Sequence, residues 1–252
     1  MSSIDEQWLR FFEEAYFPLY APFLPSEKTA QEVEDLLRLL KLPSGSAILD
    51  LGCGYGRHAL PLAQQGYQVT GFDKTEHLLR LAQQSDPGTQ KVQVRWIHSD
   101  MRDIPFTNEF DAVLSLFSSF GYFEEEEENL RVLYQVQRAL KPGGLLLMDL
   151  VSQLCLVRNF APSGITRYND GLLVLEERHF DLLRSRNNVR VTLLHPDGKQ
   201  QEYWHSMRLY TPMELGSLCA RVGLPVQGYC GGLDGRPLTL ESRLVVVGRK
   251  AD

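Results

Sequence analysis

The sequence predicts an α/β protein with a three-layer α-β-α architecture, in which a mostly parallel sheet with one antiparallel strand carries an inserted antiparallel β meander. Two observations predict this fold. Between residues 46 and 150, short apolar runs alternate with helical patterns, which is typical of a parallel sheet with helices on both faces. After about residue 165, three strand-like runs follow one another without helices, which indicates antiparallel hairpins.

The N-terminal region is predicted to be helical. Apolar residues at near-helical spacing favour a helix over residues 4–17. The aromatic, proline-rich stretch 16–25 is expected to break it, because proline and its neighbours disfavour regular structure. A second helix is predicted over residues 29–41, before a Pro-Ser-Gly turn.

The alternating region predicts five strands and three helices. The strands are expected at 46–51, 67–72, 91–97, 109–117 and 144–150. The helices are expected at 57–65, 75–85 and 124–140. The acidic run 124–128 is interpreted as a solvated helix start that complements the helix dipole, and no metal site is expected there.

The C-terminal region predicts a meander and then a return to the main sheet. Meander strands are expected at 171–183, 188–195 and 200–210. We expect the first turn to contain Asn187 and Asn188 and the second to be the sequence HPDG at 195–198. Thr211 and Glu214 form a predicted capping box that opens a helix ending at Gly223. Two strands, 225–230 and 242–248, complete the sheet.

Composition limits the partners. The chain has 26 basic and 32 acidic residues and a net charge of −6, so it has no global attraction to nucleic acid or anionic membranes. The N-terminus lacks the apolar core of a secretory signal, and no apolar run approaches membrane-spanning length. The four cysteines lack metal-ligand spacing and are interpreted as reduced thiols. We expect a cytoplasmic protein, monomeric or homodimeric.

The strongest motif is ILDLGCGYGRH at residues 48–58. An apolar strand ends in Asp50 and is followed by Gly52, Gly54 and Gly56, which let the chain turn tightly against a ligand. The dinucleotide fingerprint G-x-G-x-x-G would place its third glycine at position 57, which is Arg57. This spacing argues against a nicotinamide dinucleotide site.

The acid and the G-x-G-x-G spacing resemble motif I of the class I S-adenosylmethionine (SAM)-dependent methyltransferases, whose sheet is Rossmann-like. The resemblance covers residues 46–150 and implies SAM as cofactor, S-adenosyl-L-homocysteine as product and no metal. In such proteins this loop, here with Cys53 between its glycines, holds the methionine part of SAM. The meander resembles, in topology only, the lid of small-molecule N-methyltransferases acting on glycine or amino sugars.

The resemblance implies further cofactor contacts along the chain. Asp73, followed by Lys74, would accept the ribose hydroxyls, although it or Thr75 could instead cap the next helix. Asp100 and Met101 would contact adenine. Asp103, in the same loop, is an alternative to Asp100 as the acidic residue that contacts adenine.

Other contacts surround the methionine part of SAM. Leu116 would lie beside the cofactor. Arg57 would bind the methionine carboxylate, or would pair with Asp50 or another acid. In a subset of the family a tyrosine closes over the cofactor, and of Tyr16 and Tyr20 we favour Tyr20.

The acceptor side of the site is predicted from the loop after residue 116. Phe117, Ser119 and Tyr122 are candidate substrate contacts, although such aromatics are often core residues. Methyl transfer is an in-line displacement by a nitrogen or oxygen nucleophile of a small molecule. An oxygen nucleophile would require a base, for which His205, His58 and Tyr122 are candidates. For both histidines, a purely structural role is the favoured alternative.

We predict four regions. They are a helical cap over the cofactor (1–45), the SAM-binding core (46–160), a β lid (161–210) and a C-terminal segment completing the sheet (211–252). The alternatives are a non-catalytic SAM-binding protein and an NAD-dependent oxidoreductase. A nucleic-acid methyltransferase is disfavoured by the acidic charge and by the absence of both an N-P-P-Y tetrapeptide and a Pro-Cys nucleophile.

Overall fold

The computed structural model describes residues 4–86, 88 and 93–251 of the chain. Its strands are β1 (Ala47–Leu51), β2 (Gln68–Asp73), β3 (Arg95–His98), β4 (Phe110–Ser115), β5 (Leu140–Leu150), β6 (Ser163–Arg167), β7 (Leu173–Asp181), β8 (Arg186–Leu194), β9 (Gln200–Arg208), β10 (Val226–Cys230) and β11 (Leu244–Arg249). Its α-helices are α1 (Ile4–Phe11), α2 (Phe17–Tyr20), α3 (Ser26–Leu40), α4 (Ala59–Gln64), α5 (Glu76–Ser85), α6 (Glu126–Ala139), α7 (Gln153–Arg158) and α8 (Pro212–Arg221).

Seven strands form the main sheet in the order β10-β11-β5-β4-β1-β2-β3. β11 pairs antiparallel with both β5 and β10, and the other pairings are parallel, so the predicted sheet with one antiparallel strand is confirmed. The strand order reverses between β1 and β4. Open α/β sheets bind ligands at the carboxyl ends of strands beside such a switch point, which places the site here.

Helices cover both faces of this sheet. Neighbouring residues of β1 belong to opposite layers of the core. Ile48 shares one buried cluster with Val33 of α3, and Leu49 shares another with Val132 of α6. Both are fully buried, because a strand between two helical layers has no solvent face. The three-layer architecture follows from this double burial.

The predicted break in the N-terminal helix, over residues 16–25, is wrong. The chain stays helical through Phe23, as α1, a π-helical turn, α2 and a 3₁₀ turn. Pro18 and Pro22 each lie in the first turn of a segment where the helix changes type, so the prolines divide the run into short segments without ending it. The next helix, α3, begins at Ser26, three residues before the predicted start.

The inserted meander is a separate four-stranded antiparallel sheet, β6-β7-β8-β9, and we call it the lid sheet. The sequence predicted three of its strands and missed β6, as it missed α7. The first turn is also misplaced, because Asn187 and Asn188 lie within β8, opposite Phe180 and His179. The turn precedes them, where Asp181 accepts hydrogen bonds from the Leu183 and Arg184 N–H groups.

Other boundaries agree more closely. The capping box of Thr211 and Glu214 is confirmed, and the second lid turn closes at Gly198 with φ of 85°. The strand predicted over 109–117 ends at Ser115, because Phe117 and Ser118 adopt φ values of 53° and 66°. Of the strand predicted over 91–97, residues 91 and 92 lie outside the described residues. In the described part of the chain, no helix is both long and apolar enough to cross a membrane.

Candidate functional site

A cavity of about 400 Å³ lies at the carboxyl ends of β1, β2 and β4, between the glycine-rich loop, the N-terminal helical segment and the lid sheet. The structure brings almost all the predicted site residues together around it. Those that line it are Tyr20, Asp50, Gly52, Cys53, Gly54, Arg57, His58, Asp73, Lys74, Asp100, Met101, Leu116, Phe117, Ser119, Tyr122 and His205. Gly56 does not line the cavity, because it packs against the Trp96 ring, which a β-carbon would approach to 2.7 Å.

The glycine loop is held against neighbouring strands. The N–H groups of Gly52 and Cys53 donate to the Phe72 carbonyl oxygen, and Ser119 Oγ donates to the Gly52 carbonyl oxygen. Gly52 has φ of 76°, and a β-carbon there would lie 2.6 Å from Ser119 Cβ. Both the backbone conformation and the close approach of Ser119 therefore require glycine at this position.

Asp73 connects the end of β2 to the glycine loop. Its Oδ2 accepts a hydrogen bond from the Gly54 N–H at 2.7 Å, and its Oδ1 accepts one from the Thr75 N–H at 2.8 Å. Burial raises the pKa of Asp73, although these hydrogen bonds oppose the change. The carboxylate thus anchors the turn before α5 while it lines the cavity, and it can accept a further hydrogen bond there.

Asp50 lies at the end of β1. Its Oδ2 is buried and has no hydrogen-bond partner. Burial, and then the nearby Asp73 carboxylate, raise the pKa of Asp50 to about 7, while Arg57 acts in the opposite direction. The carboxyl is therefore sensitive to any cation that enters the cavity near neutral pH.

Asp100 lines the cavity and its rival Asp103 does not. The Asp100 carboxylate accepts hydrogen bonds from Arg102 and forms an ion pair with Lys74 at 2.8 Å. Burial raises the pKa of Asp100, but the hydrogen bonds from Arg102 and Lys74 outweigh it and lower the pKa to about 2. Asp103 is exposed and pairs with Arg131. The predicted contact of Asp100 and Met101 with adenine stays a prediction.

Arg57 pairs with an acid that sequence reasoning did not single out. Its Nη1 lies 2.5 Å from Glu32 Oε2 and 3.1 Å from Thr29 Oγ1, and His58 Nε2 lies 3.0 Å from the same Glu32 oxygen. Burial raises the pKa of Glu32, but the hydrogen bonds from His58 and Arg57 lower it to about 2. Thr29 and Glu32 lie three residues apart in α3, which puts both on one helix face.

None of the three candidate bases is suited to accept a proton at neutral pH. Burial and the Arg178 guanidinium lower the pKa of His205 to about 4. Burial also lowers the pKa of His58, although its hydrogen bond to Glu32 acts in the opposite direction. Burial raises the pKa of Tyr122 far above neutrality, so its hydroxyl stays protonated. The cavity therefore offers no strong base among these residues.

The loop after β4 is held in a strained turn. Asp149 accepts hydrogen bonds from the N–H groups of Phe117 and Ser118, and Arg243 Nε lies 2.5 Å from the Asp149 carboxylate. The Phe117 ring lies 5.2 Å from the Arg57 guanidinium and 5.5 Å from that of Arg243. Sequence reasoning missed both Asp149 and Arg243. Asp149, like Asp50 and Asp73, is an acid near the end of a buried strand, which is a signal that could have found it.

The N-terminal segment supplies an aromatic wall. The rings of Tyr16 and Tyr20 stack with centroids 5.1 Å apart, and Phe12 lies edge-on to Tyr122 at 5.3 Å. Burial raises the pKa of Tyr20 to about 12, with a further contribution from Glu176. Both tyrosines line the cavity, so the preference for Tyr20 stays a prediction. Such faces attract cations when the rings are desolvated.

The lid sheet supplies a polar wall that was predicted only at His205. Glu176, Arg178 and Asn187 also line the cavity, and Arg178 pairs with Glu176 at 2.5 Å.

Within the described residues, no group of three or more His, Cys, Asp and Glu side chains is arranged to hold a metal ion. The four cysteines are free thiols.

The sequence model of a protein family, described as a methyltransferase domain, matches residues 48–144 of the chain. These residues span the glycine loop, the Asp73 turn and the loop after β4. This part of the chain is therefore similar to the methyltransferase domain of class I SAM-dependent enzymes. This similarity confirms the resemblance seen in the glycine-loop motif and in the fold.

Two sequence relatives of the chain illustrate the range of similarity. It is 37% identical over 123 residues to YqeM of Bacillus subtilis, which is provisionally named a methyltransferase; this covers 48% of this chain and 49% of that one. The chain thus spans about half the length of the first curated relatives it matches. It is 28% identical over 217 residues to dTDP-3-amino-3,4,6-trideoxy-alpha-D-glucopyranose N,N-dimethyltransferase of Streptomyces venezuelae, covering 83% of this chain and 87% of that one.

The fold has solved counterparts that include the lid. The CcbJ methyltransferase from Streptomyces caelestis superposes with a TM-score of 0.81 at 20% identity, over 96% of this chain and 98% of that one. At this identity the likeness concerns the fold alone. It extends across nearly the whole chain, so it includes the N-terminal segment and the lid sheet as well as the main sheet.

Proposed function

We propose that the protein transfers a methyl group from SAM to a nitrogen atom of a small-molecule acceptor and releases S-adenosyl-L-homocysteine. The observation that carries this proposal is that one continuous cavity is lined by the glycine loop and Asp73 on one side and by the aromatic and lid walls on the other. A methyl transfer requires both molecules in one cavity, because the nucleophile must approach the methyl carbon in line with the bond that breaks.

The cofactor half of the cavity fits SAM. Asp73 would accept the ribose hydroxyls with its remaining lone pairs, and Asp100 with Met101 would contact the adenine. Asp50 has a buried oxygen without a partner and a raised pKa, which suits a site that receives a cationic ligand. Arg57 keeps donors beyond those used by Glu32 and Thr29, and these would bind the methionine carboxylate.

The acceptor half favours a nitrogen nucleophile over an oxygen one. A hydroxyl group must lose its proton as it attacks and benefits from a general base, whereas a neutral amine already has a lone pair. His205, His58 and Tyr122 are unsuited to that role, because burial lowers the pKa of both histidines and raises that of the tyrosine. The name of the Streptomyces venezuelae relative, an amino-sugar N,N-dimethyltransferase, also supports a small amine.

The residues would act mainly by positioning. Good alignment of two reactants is worth roughly 7–11 kcal/mol of the barrier, without any covalent intermediate on the protein. The aromatic wall of Phe12, Tyr16, Tyr20 and Tyr122 would exclude water and stabilise the positive charge that SAM brings and the methylated amine retains. Phe117 and Ser119 would contact the acceptor from the opposite side.

The same proposal assigns the four regions of the chain. Residues 1–45 would cap the cofactor, 46–160 bind it, 161–210 cover the acceptor and 211–252 complete the sheet. The reaction would need no metal, and the protein would act in the cytoplasm as a monomer or homodimer.

Titration calorimetry with SAM, followed by an assay of S-adenosyl-L-homocysteine release with small acceptors, tests the proposal. We expect micromolar SAM binding, no binding of NADH, and turnover with amines such as D-glucosamine or glycine but not with hydroxy acids such as lactate. Absence of binding at millimolar SAM would refute the cofactor assignment. Turnover with hydroxy acids alone would refute the assignment to nitrogen.

A further inference from the structure

Polar atoms without hydrogen-bond partners are concentrated at the cavity. Among the described residues, ten buried side-chain nitrogen and oxygen atoms lack a partner, and five of them belong to four residues that line the cavity. These residues are Trp8, Asp50, Asn187 and His205. Because a buried polar atom without a partner costs stability, such a concentration indicates that a ligand supplies the missing partners.

Two of these residues lie side by side on the lid sheet. His205 of β9 is paired with Val189 of β8, and Asn187 of β8 is paired with Met207 of β9. Residues opposite each other in an antiparallel pair share a face, and so do residues two apart along a strand. Asn187 and His205 are therefore diagonal neighbours on the face that lines the cavity.

The lone pairs and protons of this pair define what it can bind. Asn187 Oδ1 is an acceptor without a donor, and both ring nitrogens of His205 lack partners. The neutral imidazole offers one donor and one acceptor. The charged groups beside it are already paired, since Arg178 binds Glu176. The complementary ligand group is thus an uncharged one that can both donate and accept, such as a hydroxyl or an amide.

We propose that Asn187 and His205 form a hydrogen-bonding subsite that selects the acceptor by a hydroxyl or amide group and positions it under the lid. This inference rests on the proposed function, and it gives His205 a role in recognition instead of proton transfer. Phe11 supports the arrangement, because its ring packs on the His205 imidazole with centroids 4.9 Å apart.

A structural role and a recognition role predict opposite effects on stability. If the two residues serve the acceptor, their apolar replacements His205→Phe and Asn187→Leu remove unpaired polar atoms. The unliganded protein should then keep its melting temperature or gain about 2–4 °C. Asn188→Leu is the matched control, because Asn188 Oδ1 accepts from Ser206 Oγ at 2.7 Å and its Nδ2 donates to the His179 carbonyl oxygen. This control should melt about 2–4 °C lower.

Binding and turnover supply the second readout. Calorimetry should give the same SAM affinity, within about twofold, for the wild type and all three variants. With D-glucosamine and glycine as probes, we expect His205→Phe and Asn187→Leu to raise the KM of the accepted amine about tenfold, with kcat changed less. His205→Gln, which keeps a donor and an acceptor, should recover part of this loss, and Asn188→Leu should leave the KM unchanged.

The outcomes separate the two proposals. A wild type that does not bind SAM refutes the proposed function. If the wild type binds SAM but His205→Phe and Asn187→Leu melt as low as Asn188→Leu, the residues are structural and the subsite is refuted. An unchanged amine KM in both variants refutes it as well. The comparison of melting temperatures needs no acceptor, so it distinguishes a structural role from a recognition role even if neither probe is methylated.

Discussion

The two halves of the cavity satisfy their polar groups in different ways. In the cofactor half, Asp73 and Asp100 are hydrogen-bonded by other groups of the protein, while one oxygen of Asp50 lacks a partner. In the acceptor half, Asn187 and His205 of the lid sheet are buried with unpaired atoms. Two of these three carboxylates are thus fixed by the protein itself, whereas both lid residues would take their missing partners from a ligand.

The largest effect is expected in the cofactor half, from Asp73→Ala. The change removes the acceptor of the Gly54 and Thr75 N–H groups together with the proposed ribose ligand. Because hydrogen bonds to charged groups are worth about 1.5–3 kcal/mol each, SAM affinity should fall about 100-fold or more by calorimetry. Asp103→Ala is the control, since Asp103 is exposed outside the cavity. Equal affinities in the two variants would contradict the account.

A smaller loss is expected from Gly52→Ala. The new β-carbon would lie 2.6 Å from Ser119 Cβ at φ of 76°, so the loop must shift; we expect about a tenfold weaker SAM affinity and a melting temperature lower by roughly 3–8 °C. Gly45→Ala is the control, because Gly45 has φ of 78° with open space around it. If Gly45→Ala weakened SAM binding equally, backbone strain alone would explain the result.

SAM affinity should also depend on pH through Asp50. In the free protein its pKa is raised to about 7, chiefly by burial, and a cationic ligand would lower it, so binding below pH 7 must first release a proton. Affinity should therefore fall as pH decreases, about eightfold between pH 7.5 and pH 6. Calorimetry on the wild type and Asp50→Asn measures this, and the variant should lose most of the dependence. An equal pH dependence of SAM affinity in the wild type and the variant would show that a group other than Asp50 releases the proton.

The smallest effect is expected from Arg243→Met. Arg243 holds Asp149, which in turn fixes the strained Phe117 turn. We expect the melting temperature to fall by about 2–4 °C, with SAM affinity within twofold of the wild type. Arg236→Met, which removes an exposed ion pair with Asp234, should have no measurable effect. A loss of SAM binding would show that Arg243 contributes to the cofactor half of the cavity.

The same contrast explains what the sequence could predict. Asp50 and Asp73 lie at the ends of buried strands, and Asp100 follows the edge strand β3. Parallel strands align their carboxyl ends, so local patterns place all three at one edge of the sheet. Asn187 looked like a turn residue by composition. The pairing of β8 with β7 overrides that preference and places it in a strand, while Asp181 makes the turn instead.

Long-range partners were the other source of error. Glu32 reaches Arg57 from 25 positions away, and Arg243 reaches Asp149 from 94. No spacing rule connects residues so far apart, because their contact depends on how α3 packs against the sheet and on how β11 pairs with β5. The fold class was predictable because it depends on periodicity, and these contacts were not because they depend on tertiary packing.

A crystal structure of the protein with S-adenosyl-L-homocysteine tests the central claim most directly. We expect the ribose hydroxyls within hydrogen-bond distance of the Asp73 carboxylate, and the sulfur atom facing the space between the aromatic wall and the lid sheet. A cofactor bound away from the glycine loop, or with its sulfur turned away from His205 and Asn187, would contradict the account.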